Sequence, residues 1–144
     1  MSTVIYFDTS ALAKWYINET RSDDVEKYIQ QNGPVAISDL TVVEMRCLLA
    51  RRRREKSITQ QLEMEIFATF REDLRQRFLI CHPFPADLAE GTINLLTLLS
   101  DIPIRTLDAL HLMIAKEIFT EELVTADRIM AEGAKALGIK VLLF

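Results

Sequence analysis

The strongest constraint on this chain is a repeated pattern of short apolar runs, each followed by helix-forming sequence. Thr3-Val4-Ile5-Tyr6-Phe7 is a short β-branched and aromatic run that stops at Asp8. A run that is apolar on both alternating faces fits a strand covered on both sides, as in a parallel sheet. Val35-Ala36-Ile37, Phe78-Leu79-Ile80-Cys81, Glu122-Leu123-Val124-Thr125 and Lys140-Val141-Leu142-Leu143 repeat the pattern. Helical sequence separates them. Asp8-Thr9-Ser10 supplies N-cap chemistry for a helix to about Ile17, and Ser22-Asp23-Asp24 starts a second that Gly33-Pro34 stops. Helices are also predicted at about 41–54, 57–77, 86–99, 106–119 and 127–137. Strands alternating with helices predict an α/β fold, a three-layer sandwich with a mostly parallel sheet. The paired helices at about 41–77 break the simple alternation and predict a helical hairpin projecting from the sheet.

With 144 residues the chain has room for a single domain over 1–144. Hydrophobic residues make up 49% of it, enough for a core, so disorder is excluded. Cys47 and Cys81 show no zinc spacing and cannot form a disulfide framework. The uncharged, mostly apolar stretch 91–100 is too short to span a bilayer. With no signal-type N-terminus, the expectation is a cytoplasmic protein with reduced thiols. The formal net charge is −4, which at first sight argues against a nucleic-acid partner. The charges are unevenly placed, however. Residues 46–77 carry nine basic and five acidic side chains, a local balance of +4, and the remainder carries −8. A basic helical arm and an acidic body are averaged in the net figure.

In open α/β sheets, ligands sit beyond the carboxyl ends of the strands. Four acids fall there: Asp8 after the first strand, Glu44 in the first turn of the helix after the second, Asp108 in the first turn of the helix at 106–119, and Asp127 after the fourth strand. Each has an ordinary structural role available. Asp8 and Asp127 can cap the helices they precede. Thr41-Val42-Val43-Glu44 fits a capping box, and Asp108 suits a helix dipole. Carboxylates crowded in a partly buried cleft repel one another, and a divalent cation relieves this. Acids without converging His or Cys favour a hard ion, Mg²⁺ or Mn²⁺, over zinc. Such an ion suits phosphodiester hydrolysis. The chain has no Gly-x-Gly-x-x-Gly, Walker loop or Gly-x-Ser-x-Gly.

Asp8-Thr9-Ser10-Ala11-Leu12, the isolated Glu44, Arg105-Thr106-Leu107-Asp108-Ala109-Leu110-His111 and Thr125-Ala126-Asp127 occur in order over essentially the whole chain. Together they resemble the four motifs of PIN-domain ribonucleases, above all VapC-type toxins of toxin–antitoxin pairs. The resemblance implies a strand order of 3-2-1-4-5 and Mg²⁺ or Mn²⁺ held mainly by Asp8 and Asp108, with Asp127 and Glu44 completing the cluster directly or through water. It implies endonucleolytic cleavage of RNA, homodimerisation and inhibition by a VapB-like antitoxin, in a complex that binds operator DNA through the antitoxin.

Other residues carry weaker expectations. The hydroxyls of Ser10 and Thr125 lie in reach of the cleft as substrate contacts, with capping as their ordinary role. Arg105 fits an ion pair with Asp108 one turn on, or a phosphate contact. Arg51-Arg52-Arg53-Arg54 fits a solvated helix end, an RNA contact or an acidic partner. His111, in an apolar helix, fits a packed, hydrogen-bonded side chain better than a catalytic one. Phe67, Phe70 and Leu74 share a helical seam. Two other classes compete: a phosphoryl-transfer or receiver-type domain, and a non-catalytic binding module. Ser10 stands where a haloacid-type phosphatase needs a second Asp.

Overall fold

A computed structural model describes residues 3–144. Five strands, β1 (Ile5–Phe7), β2 (Val35–Ser38), β3 (Leu79–His82), β4 (Glu122–Thr125) and β5 (Lys140–Leu143), alternate with seven helices. These are α1 (Thr9–Tyr16), α2 (Ser22–Asn32), α3 (Asp39–Arg54), α4 (Gln60–Arg75), α5 (Leu88–Leu98), α6 (Thr106–Glu117) and α7 (Arg128–Ala136). The sheet order is β3-β2-β1-β4-β5 and every pairing is parallel. The strand order expected from the resemblance is therefore present, and the sheet is wholly rather than mostly parallel.

The period of two along β1 builds the two cores. Ile5 and Phe7 face one side, with Val35, Ile37 and Val124, and meet Leu12, Val25, Met45 and Phe70 from α1 to α4. Tyr6 faces the other side, with Ala36 and Leu123, and meets Leu95, Leu112, Ile114 and Met130 from α5 to α7. Phe70 is fully buried with Phe67 and Leu74 packed beside it, so the expected helical seam is present. Burying a Phe or Leu side chain is worth about 1.5–3 kcal/mol, and each layer contributes several.

The chain leaves β1 toward β2 and β3, then crosses back to place β4 on the other flank of β1. The carboxyl ends of β1 and β4 therefore border the point where connections diverge, the usual crevice of such sheets. The projecting hairpin is α3 and α4, closed by a turn at Lys56, whose φ is 64°. Its interior polar tie is Glu63, almost fully buried and bonded to Arg46 (2.9 Å) and Arg53 (2.6 Å). No helix of the described residues is long and apolar enough to cross a membrane.

One boundary differs with consequence. β2 runs one residue further than expected, through Ser38, and α3 starts at once at Asp39. The capping box is Ser38 with Thr41, the Ser38 backbone N–H donating to Thr41 Oγ1 at 3.2 Å. Thr41 is thus not the N-cap, and Glu44 lies in the second turn of α3 with its carboxylate free of any capping duty.

Candidate active site

Asp8 sits immediately after β1 and caps α1, its Oδ1 accepting from the Ala11 backbone N–H at 3.0 Å. Asp127 sits after β4 and caps α7, its Oδ1 accepting from the Ile129 and Met130 backbone N–H groups at 2.8 and 3.1 Å. Both capping roles anticipated from the sequence are real, and each fixes a carboxylate at the strand ends. Asp127 Oδ2 takes no hydrogen bond among the described residues.

Two hydroxyls weld these ends together. Ser10 donates to Asp8 Oδ1 (2.7 Å) and accepts from the Ala126 N–H (2.9 Å). Thr125 donates to Asp8 Oδ2 and accepts from the Asp127 N–H at 3.0 Å. Thr125, expected beside the substrate, is fully buried and spent on Asp8. Ser10 lines the cleft and ties β1 to the segment after β4.

An open cleft of about 740 Å³ lies over this floor. Glu44, Asp108 and Asp127 line it, with Ser10, Arg51 and Arg105. Asp8 is 3% exposed and lies below the surface. Burial raises the Asp8 carboxyl above its ordinary value, opposed by His111 and by the donors Thr125, Ala11 and Ser10. Asp108 is also raised, first by burial and then by repulsion from Asp127, with Arg105 opposing and Asp8 adding. Asp108 Oδ2 is buried with no hydrogen-bond partner. Arg105 makes no ion pair with Asp108 within 4.0 Å among the described residues, so its expected pairing is absent and its side chain is exposed at the rim.

Glu44 behaves differently. Burial pushes it up, but hydrogen bonds and charge from His111, and the Thr9 hydroxyl at 2.8 Å, outweigh this and hold it below its ordinary range. His111, expected as a packed, hydrogen-bonded side chain rather than a catalytic one, reaches the site as the partner of Glu44. It is 2% exposed, packed and hydrogen-bonded, with Nε2 on Glu44 Oε1. Its one sequence signal was a polar residue on the buried face of α6, one turn after Asp108.

The four acids do not converge tightly. Among the described residues no three His, Cys, Asp or Glu side chains stand close enough to hold an ion unaided. Mg²⁺ differs from ions that need an all-protein cage: it is commonly held by one or two carboxylates, retained waters and substrate phosphate. The all-oxygen donor set and the orphaned Asp108 Oδ2 fit that mode. The arginine run also divides. Arg52 pairs with Glu19 at 3.1 Å and Arg53 with Glu63, Arg51 lines the cleft, and Arg54 is exposed away from it.

Residues 5–144 match the family described as PIN domain. Ribonuclease VapC46 of Mycobacterium tuberculosis is 31% identical over 96% of this chain and 95% of its own length. Among solved structures, VapBC of Salmonella typhimurium bound to DNA superposes with a TM-score of 0.73 at 15% identity, covering 97% of each chain. The sarcin–ricin-loop-cleaving toxin VapC20 of M. tuberculosis gives 0.69 at 17% identity, over 89% of this chain and 93% of that one. The chain belongs to the PIN-domain family.

Proposed function

We propose that this chain is a VapC-type endoribonuclease, the toxin of a toxin–antitoxin pair, and that it hydrolyses RNA phosphodiester bonds with the help of Mg²⁺ or Mn²⁺. The observation that carries the reading is Asp108 Oδ2: a buried carboxylate oxygen without a donor, in a cleft it shares with Asp127 and above Asp8. An unpaired buried charge is costly, and a bound cation is the natural partner for it. A ribonuclease relative that aligns over nearly the whole chain supports the same reading.

Asp8, Asp108 and Asp127 would hold the ion. When bound, it lowers the pKa of an attacking water and stabilises charge on the phosphate. The chain's own groups do the rest. Asp8 is held rigid by Ser10, Thr125 and the Ala11 N–H, so its position is preorganised. Glu44, kept ionised, is placed to accept a proton from water at the cleft wall. Arg51 and Arg105 line the same cleft and would supply positive charge for the RNA phosphates.

Solved relatives include toxin–antitoxin complexes on DNA, among them VapBC2 of Rickettsia felis on a promoter fragment. By analogy we assign this chain a VapB-like antitoxin partner, homodimerisation, operator binding through the antitoxin and a cytoplasmic site of action. Induced expression in a bacterial host tests the reading. Growth should stop and RNA ends should accumulate at discrete sites, co-expression of a cognate antitoxin should restore growth, and Asp8→Asn should abolish both effects while remaining folded. Toxic, RNA-cleaving Asp8→Asn would contradict it.

A further inference from the structure

Beneath the cleft runs a buried chain of polar groups to which the hydrolytic reading assigns no task. Tyr6 is fully buried in the middle of β1. Its hydroxyl lies 2.9 Å from Ser38 Oγ and 2.7 Å from His111 Nδ1. The other imidazole nitrogen, Nε2, meets Glu44 Oε1 and lies 3.4 Å from Thr9 Oγ1, and Thr9 itself donates to Glu44 Oε1. The chain thus links β1, the end of β2, α6, α1 and α3, and ends on a carboxylate at the cleft.

Packing alone does not account for it. Phe at position 6 and an aliphatic residue at position 111 would fill similar space without burying a phenol and an imidazole, which must be hydrogen-bonded to be tolerated. The bonds are also directional. An ionised Glu44 accepts only, so Nε2 must carry a proton. In the neutral ring Nδ1 then accepts from the Tyr6 hydroxyl; in the protonated ring it donates to the Tyr6 oxygen, which turns its own proton to Ser38. Either way Tyr6 fixes the orientation of the ring. Glu44 Oε1 is held from below by His111 and Thr9, while Oε2 takes no hydrogen bond among the described residues.

We propose that Tyr6 and His111 are positioning residues for the nuclease reaction, holding Glu44 through Oε1 so that Oε2 stays presented to the cleft. This rests on the nuclease reading, and the test separates the two. Metal and carboxylate sites commonly lose about 10–100-fold when an orienting partner is removed.

Nitrogen-15 NMR of the wild-type ring should show a proton on Nε2; a ring protonated on Nδ1 alone would overturn the proposal without reference to activity. In steady-state cleavage of a model RNA, normalised to folded protein, Tyr6→Phe and His111→Ala should lower kcat about 10–100-fold with KM changed less than about twofold. His111→Gln, which keeps a donor near Glu44, should recover part of the loss. Tyr6→Phe is the near-isosteric variant and keeps the test informative if His111→Ala does not fold. Unchanged kcat in Tyr6→Phe and His111→Gln, alongside an inactive Asp108→Asn, would reject the positioning role alone. Full activity of Asp108→Asn would reject the nuclease reading and the positioning role with it.

Discussion

Thr125 donates its hydroxyl to Asp8 Oδ2 across the β1–β4 pair, joining residues 117 positions apart at the point where the chain connections diverge. Both are buried, and the same hydroxyl accepts from the Asp127 N–H. The pairing register brings Phe7 opposite Val124, so the next residues on each strand meet at the sheet's carboxyl edge. One side chain thus sets the spacing of two of the four acids.

Thr125→Val keeps the shape and removes both bonds. It should destabilise the fold by about 1–3 kcal/mol, the cost of leaving buried polar groups unpaired. Thr125→Ser should restore most of that. Urea midpoints at constant m-value check both variants, and an unchanged midpoint in Thr125→Val would show that the bond does not hold the strand ends.

The acid limb of stability should depend on Glu63. Its hydrogen bonds to Arg46 and then Arg53, against an opposing burial effect, keep it below the ordinary glutamate range. A carboxyl lower in the folded than in the unfolded chain contributes stability above its unfolded pKa and loses it as pH falls through the folded value. Asp8 and Asp108 are raised and act in the opposite sense, so acid relieves their cost. Glu63→Gln should therefore be less stable than wild type at pH 7, and the gap should start to narrow only near the unfolded glutamate pKa of about 4.3 and close as pH falls on through the folded value. Denaturant titrations of both proteins across that range measure it; a gap independent of pH would contradict it.

Phosphate contact by the cleft arginines should show as a salt effect. With an inactive Asp108→Asn background, Arg51→Ala and Arg105→Ala should each weaken RNA binding and reduce the slope of log K against log salt by about 0.7–1. Arg54→Ala should leave the slope unchanged, since Arg54 lies away from the cleft. Fluorescence anisotropy at several salt concentrations distinguishes these outcomes.

Much of this arrangement was legible in the residues. Apolar runs ending in Asp8 and Thr125-Ala126-Asp127 marked strand ends, and helix-capping chemistry placed both acids where the structure has them. Glu44 was legible as a candidate but not its surroundings. Thr41 through Glu44 matched a capping signature in the sequence, but β2 pairs with β3 out to Ser38 and His82, so α3 starts earlier and Ser38 with Thr41 forms the box. His111 was harder still. Its partners, Tyr6 and Glu44, are 105 and 67 residues away, and no local pattern records which helix face meets which strand. The run of four arginines reads as one feature in sequence, yet its members point around a helix, one to the half-buried Glu19, one to the buried Glu63 and one to the cleft.

Asp108 offers the most direct test. Replacing it by Asn removes a carboxyl whose charged form is disfavoured by burial and by Asp127, so the apo protein should be more stable at pH 7. Mn²⁺ should raise the Tm of wild type by binding the folded state, and should not do so for Asp108→Asn. The decisive measurement is cleavage of RNA by both purified proteins with Mg²⁺ or Mn²⁺ and with EDTA. Wild type should cleave only with the ion, and Asp108→Asn should not cleave under either condition. Cleavage that persists in EDTA, or in the Asp108→Asn variant, would contradict a metal-assisted carboxylate site.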